Sequence, residues 1–310
     1  MAPQVFLVTG STSGIGAALV EHILSRGDKV IATGRKVEEK LSHVKARYEN
    51  IALMELEVTA GIEVIRTQIE TAWNIFGHID VVMNNAGMSA MTAIEDANDA
   101  YVQNMFSVNL FGPVHITQAI LPLFRAQGHG CVAFTSSSSS WMALPTMSHY
   151  SMTKAALSAF AECLHKEVSD LGIRSVAFDC GGFITNLMQP RQGAHASPAG
   201  SEPSNAYKPL FDSIIGMFSN DPLSLMPGSP AKAASTMIDV IKGEGVAAGR
   251  PWAVRVVLGS DAYDSGLNRR QDELKLLKAW QPVSASTDER RFEPRDDFRK
   301  VSRMTGVDQL

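Results

Sequence analysis

The chain has 310 residues, of which 45% are hydrophobic and 19% charged, with a formal net charge of −4. That is enough apolar material for a large core, and a mildly acidic chain without a basic stripe excludes a nucleic-acid binder held by phosphate contacts. The three scattered cysteines, Cys131, Cys163 and Cys180, form neither a metal-ligand spacing nor a disulfide framework, so no metal site is expected and a reducing compartment is.

The N-terminus runs straight into a strand pattern, "VFLVTG" (5–10). No basic leader precedes it, and no run approaches the roughly 18 apolar residues of a membrane span. The expectation is a cytoplasmic protein with no membrane partner. Further strands are predicted at 29–34, 51–58, 79–87, 130–137, 173–182 and 252–259, with helical segments near 14–26, 36–48, 60–75, 99–126, 149–170 and 230–242. The strands are apolar throughout rather than alternating, as parallel strands covered on both faces are. Strict alternation of strand and helix predicts a single α/β domain, a doubly wound, Rossmann-type parallel sheet of about seven strands spanning residues 1–260.

Two regions break the pattern. Residues 186–229 are rich in Pro, Gly and Ser and fall after the sixth strand, where open α/β sheets bind ligands. They are either a substrate lid or a surface loop. Residues 261–310 form a helical extension that ends in a charged, aliphatic-poor tail.

The first turn, "VTGSTSGIGAALVEHIL", sets Gly10, Gly14 and Gly16 between a strand and a helix. Glycines let backbone approach a pyrophosphate, and the helix N-terminus supplies free N–H groups and a favourable dipole. Ser11, Ser13 and Ile15 fall within the same candidate cofactor loop. At the end of the second strand an NAD site carries an acid for the ribose hydroxyls. Here Thr33 and Gly34 are followed by Arg35 and Lys36, cations suited to a 2′-phosphate or else a solvated helix start. NADP(H) is the expected cofactor. Pro113 has no N–H to give the carbonyl of Asn109 four residues earlier, which frees that carbonyl to hold a water.

Tyr150 and Lys154 in "YSMTK" are unremarkable as a bare pair. Together with "TGSTSGIG" (9–16), "NNAG" (84–87) and "VNLFG" (108–112), in that order, they make the chain resemble the short-chain dehydrogenase/reductase family over roughly residues 4–260. The resemblance implies a catalytic tetrad of Asn109, Ser137, Tyr150 and Lys154, with Ser138 the next candidate for the serine. It implies that Tyr150 and Lys154 also touch the cofactor, as do Asn85, Ala86 and Gly87, and that Gly182, Ile184 and Thr185 hold the nicotinamide. Glu57, with Val58 beside it, stands where the family has an adenine-side Asp. Gly181 replaces the family's proline before Gly182, which predicts a looser nicotinamide loop. Lys154 is expected to favour the Tyr150 phenolate, and a water at Asn109 to relay protons to the lysine.

The implied activity is hydride transfer between NADP(H) and a small-molecule carbonyl or secondary alcohol. The chain is closest to fungal-looking members with a long lid and a C-terminal extension, some of which serve secondary metabolism. Trp141, Met142, Met147 and Met188 either line a bulky apolar substrate pocket or pack the core and lid. A non-redox cyclase, isomerase or dehydratase on the same scaffold, and a cofactor-sensing protein without turnover, are the competing readings. Homodimers or homotetramers packed through the helices at 99–126 and 149–170 are expected from the family.

Overall fold

Seven apolar segments become the strands of one parallel sheet: β1 (Val5–Val8), β2 (Lys29–Gly34), β3 (Ile51–Glu55), β4 (Val81–Asn84), β5 (Gly130–Ser137), β6 (Ile173–Cys180) and β7 (Arg255–Leu258), in the order β3-β2-β1-β4-β5-β6-β7. The computed structural model describes residues 3–188, 204–220 and 222–290, together with 292, 293, 295, 296 and 298. The side chains of Met188 and Phe218–Asn220 lie outside that description, as do residues 189–203 of the expected lid and the end of the tail.

The uniformly apolar strands have a simple cause. In β1, Val5 and Leu7 point into one core and Phe6 and Val8 into another on the opposite face. In β5, Val132 and Phe134 face the first core, Cys131 and Ala133 the second. Because consecutive side chains alternate across a sheet, a strand buried on both faces has no polar positions left.

Helices α1 (Gly14–Ser25), α2 (Val37–Lys45) and α9 (Pro230–Lys242) cover one face. Helices α3 (Ile62–Phe76), α4 (Asp99–Phe106), α5 (Gly112–Gln127) and α6 (Ser148–Val168) cover the other. Short-range chemistry sets their ends. Asn98 accepts the Tyr101 N–H to start α4, and Gly77 and Gly128 close α3 and α5 in the left-handed conformation. The single helix expected over 99–126 is interrupted: residues Ser107–Phe111 widen into a π-helical turn before α5 begins.

After β6, the described part of the expected lid forms α7 (Lys208–Asn220) and α8 (Pro222–Leu225), and Gly228 bridges to Phe183. Helix α10 (Ser260–Ala285) follows β7 and is exposed over nearly its whole length. Its surface carries the local ion pairs Arg269–Glu273 and Asp272–Lys275, spacings that support an exposed helix. The strand order reverses between β1 and β4, and the main cavity opens at the carboxyl ends of those strands.

Candidate active site

The glycine loop is pinned from the neighbouring strand. Thr9 Oγ1 accepts the N–H groups of Asn85 and Ala86, both at 3.0 Å, and Asn85 Nδ2 donates to the carbonyls of Thr9 (3.1 Å) and Gly10 (3.2 Å). Gly10 has φ +63°, and a Cβ there would stand 2.7 Å from Ala86 Cα. A Cβ on Gly16 would meet the Gly10 backbone and Asn85 Nδ2. The two glycines therefore let the loop pack closely on Asn85–Ala86, and no acid in the first turn of α1 offsets the helix dipole. Ser13, Gly14 and Ile15 line the cavity. Gly16 packs behind the loop, and Ser11, fully buried, donates from Oγ to the Thr33 carbonyl at 2.9 Å, so it joins β1 to β2 instead of lining the cavity.

At the other end stand Arg35, Lys36 and Lys40. Lys36 adopts the left-handed region (φ 54°), and its N–H donates to Glu55 Oε2 at 2.9 Å while the Val37 N–H donates to Glu55 Oε1 at 2.7 Å. Glu55, the last residue of β3, thus caps α2 and aims the cationic corner. The acid expected near this corner is Glu57. Glu57 accepts from Thr59 and lies 3.8 Å from Arg35 Nε in a half-exposed pair of little net strength. Val58 lines the cavity beside it.

The chemical end is built on α6 and β5. Tyr150 and Lys154, one turn apart, are both buried. Tyr150 and Ser137 both line the cavity, and Ser137 Oγ donates to Ser139 Oγ at 3.2 Å and accepts the Ser139 N–H at 3.1 Å. Lys154 Nζ donates to the Thr135 carbonyl at 2.7 Å and sits 5.7 Å from the Tyr150 ring centre. Ser138 is buried in the short turn that follows and is not among the cavity-lining residues.

Asn109 is fully buried and joins three elements. Its Oδ1 accepts the Met88 N–H (2.8 Å), and its Nδ2 donates to the Met88 carbonyl (2.9 Å) and to Thr153 Oγ1 (3.1 Å) on α6. The π turn around it is the backbone's accommodation of Pro113.

Burial governs the titration of this pair. It pushes the Tyr150 phenol above its ordinary value, against a smaller opposing effect of the Ser137 hydrogen bond, and it lowers Lys154 to about 8. In both groups desolvation is the leading cause.

Between these ends the cavity has a volume of about 960 Å³ and is lined also by Asn85, Ala86, Gly87, Cys180, Phe183, Thr185 and Leu187. Thr185 reaches the glycine loop: its Cβ would lie 3.2 Å from a Cβ on Gly14. Gly182 lies in the backbone between, while the Ile184 side chain is exposed. The expected pocket residues fall elsewhere. Trp141 packs on α10, 5.0 Å from the Arg270 guanidinium and against Gly266. Met147 joins the core on the α6 face, and Met142 is partly buried but not among the lining residues. The Met188 side chain lies outside the described ones. Among the described residues, no cluster of His, Cys, Asp or Glu suits a metal ion, and no helix is long and apolar enough to cross a membrane.

A family model described as "short chain dehydrogenase" matches residues 4–195. The chain belongs to the short-chain dehydrogenase/reductase family. Members similar to it include an oxidoreductase, BOA17, of Botryotinia fuckeliana, 31% identical over 84% of this chain and 90% of that protein. A short-chain dehydrogenase structure from Streptomyces avermitilis is 33% identical, with a TM-score of 0.78 over 93% of this chain and 99% of that one. At lower identity the fold alone is shared with a Burkholderia cenocepacia member in complex with NADP (22%, TM-score 0.66, 89% of this chain and 97% of that one). A Burkholderia phymatum member in complex with NAD is likewise similar in fold (16%, TM-score 0.72, 95% of this chain and 98% of that one). Family membership makes the chain an oxidoreductase scaffold for a nicotinamide dinucleotide. The close-packed glycine loop, the unneutralised α1 N-terminus and the cationic corner fit that group. Bound, it supplies the hydride.

Proposed function

We propose that this protein is an NADP(H)-dependent oxidoreductase acting on a carbonyl or secondary alcohol of a bulky, largely apolar small molecule. One observation carries the proposal. One cavity has Ser137, Tyr150 and Lys154 at one end and Arg35, Lys36 and Lys40 at the other, with Thr33 and Gly34 where an NAD-selective acid would stand.

The chain's own groups divide the work. Ser137 hydrogen-bonds the substrate oxygen and fixes its angle. Tyr150, held protonated by burial, donates its proton to that oxygen as the carbonyl carbon takes hydride. Lys154 returns a proton to the phenolate, resupplied through a water at the Asn109 carbonyl. Thr185 and the Gly182–Ile184 backbone hold the carboxamide end of the cofactor, and Asn85–Gly87 support the loop opposite. Phe183 and Leu187 add apolar surface to the cavity. The active form is a homodimer or homotetramer; Phe111 in the π turn (50% exposed) and Met152 on α6 (53%) leave apolar surface on the two helical segments expected to pack.

The test is nucleotide oxidation against a panel of carbonyl compounds, with NADPH and NADH compared and Tyr150→Phe as control. NADPH turnover that falls by about 10²–10⁴ in the Phe variant is the expected result. Equal use of NADH would overturn the cofactor assignment. Product formation that survives in Tyr150→Phe without nucleotide consumption would favour a non-redox catalyst instead.

A further inference from the structure

The loop that follows β6 holds an unexplained pair of glycines. Gly181 stands where the family's proline is expected, and glycine there predicts a slack loop. The structure shows a loop tied on three sides. The Gly181 N–H donates to the Leu258 carbonyl of β7 at 2.7 Å, a bond proline lacks the hydrogen to make. The Gly182 carbonyl accepts the Gly228 N–H at 2.9 Å from the segment leaving α8. The third tie is Asp261, in the first turn of α10: its Oδ2 accepts the Gly182 N–H at 2.7 Å.

The carboxylate also explains why residue 181 carries no side chain. A Cβ on Gly181 would come within 2.7 Å of Asp261 Cγ, and one on Gly259 (φ +111°) within 2.5 Å of Asp261 Oδ1. Asp261 thus fills the space that a proline ring or any other side chain at 181 would need. Its charge is itself favoured at the N-terminus of α10. Four residues downstream, Thr185 meets Gly14 of the glycine loop, and Gly181, Phe183 and Thr185 all line the cavity.

We propose that Asp261 is the positioning residue for the 181–185 loop: a carboxylate carried on the C-terminal helix fixes the backbone that elsewhere a proline would stiffen, and makes α10 part of the nicotinamide half of the cofactor site. The proposal rests on the NADP(H) assignment above. It assigns no contact between Asp261 and the cofactor.

The test is equilibrium binding to the full-length protein, followed by intrinsic fluorescence, with two probes: NADPH, and 2′-phospho-ADP-ribose, which lacks the nicotinamide. Asp261→Ala should weaken NADPH by about tenfold or more, the scale of losing a hydrogen bond to a charged group, and leave 2′-phospho-ADP-ribose within about twofold. Asp261→Asn, which keeps an acceptor for the Gly182 N–H, should recover most of the loss. Gly181→Ala should weaken NADPH in the wild-type background and cost little more in Asp261→Ala, since the clash is with the removed carboxylate. If Asp261→Ala does not fold, the Asn variant and Gly181→Ala decide. Unchanged NADPH affinity in the Asp261 variants, equal losses for both probes, or full additivity of the Gly181 and Asp261 effects would each overturn the proposal. Failure of the wild-type protein to bind NADPH at all would instead overturn the cofactor assignment.

Discussion

Burial disfavours the charged form of Lys154. Its folded-state pKa of about 8 lies below the ordinary 10.5, so between those values the native state binds fewer protons than the unfolded chain and stability rises with pH. Below about pH 8 the whole cost of burying an ammonium is present. Tyr150, Cys131 and Cys180, all raised by burial, act with the opposite sign at higher pH, so the comparison must be made against a variant. Lys154→Met should be inactive yet more stable than the wild type near neutral pH, by up to about 3 kcal/mol. Urea denaturation should show that advantage shrinking as the pH approaches about 9.5, and a pH-independent difference would refute the account. Arg35 offers a cleaner functional readout. Arg35→Ala should raise KM for NADPH by about tenfold or more and leave KM for NADH nearly unchanged, because only the phosphorylated ribose loses a charge-assisted bond. Steady-state kinetics with both nucleotides would settle it. Arg35 and Lys36 were legible because a missing acid is visible in a sequence. Glu55 was not: nothing in "ALMELEV" separates its carboxylate from that of Glu57, and only the left-handed turn at Lys36 brings the α2 N–H groups onto it.

Among the elements, the π turn at Ser107–Phe111 joins sequence to chemistry most directly. Proline at 113 removes a helical donor, the backbone widens, and Asn109 is left with its amide bridging Met88 and α6. Pro113→Ala should let the helix close, slow proton return to Lys154 and enlarge the solvent isotope effect on turnover. The same rate and isotope effect as the wild type would remove the π turn from the mechanism. The proline was readable in the sequence, as were the seven strands, since a doubly covered parallel strand must be apolar at every position. Trp141, Met142 and Met147 sit between Ser137 and Tyr150 in sequence but are not among the residues lining this cavity, and Trp141 packs on Gly266 and Arg270 of α10. The residues that do line the cavity there, Phe183 and Leu187, come from the loop after β6, whose path is set by long-range ties to Gly228 and Asp261. Ties of that range leave no local pattern.

For the whole molecule, the expected assembly gives the broadest prediction. Placing charge on the exposed part of α6, as in Met152→Glu, should shift sedimentation toward a smaller species while near-ultraviolet circular dichroism stays native. An unchanged assembly would place the interface elsewhere. The reversal of strand order between β1 and β4 has a further consequence. The corner bearing Arg35, Lys36 and Glu55 is made wholly by the β2–β3 side of the sheet, and Ser137, Tyr150 and Lys154 wholly by the other side. On the proposed assignment, choice of coenzyme and choice of reaction would be encoded in separate stretches of one polypeptide. Exchanging the first sixty residues or so for those of an NAD-using relative should re-key the enzyme to a different electron donor while its preference among substrates is inherited intact.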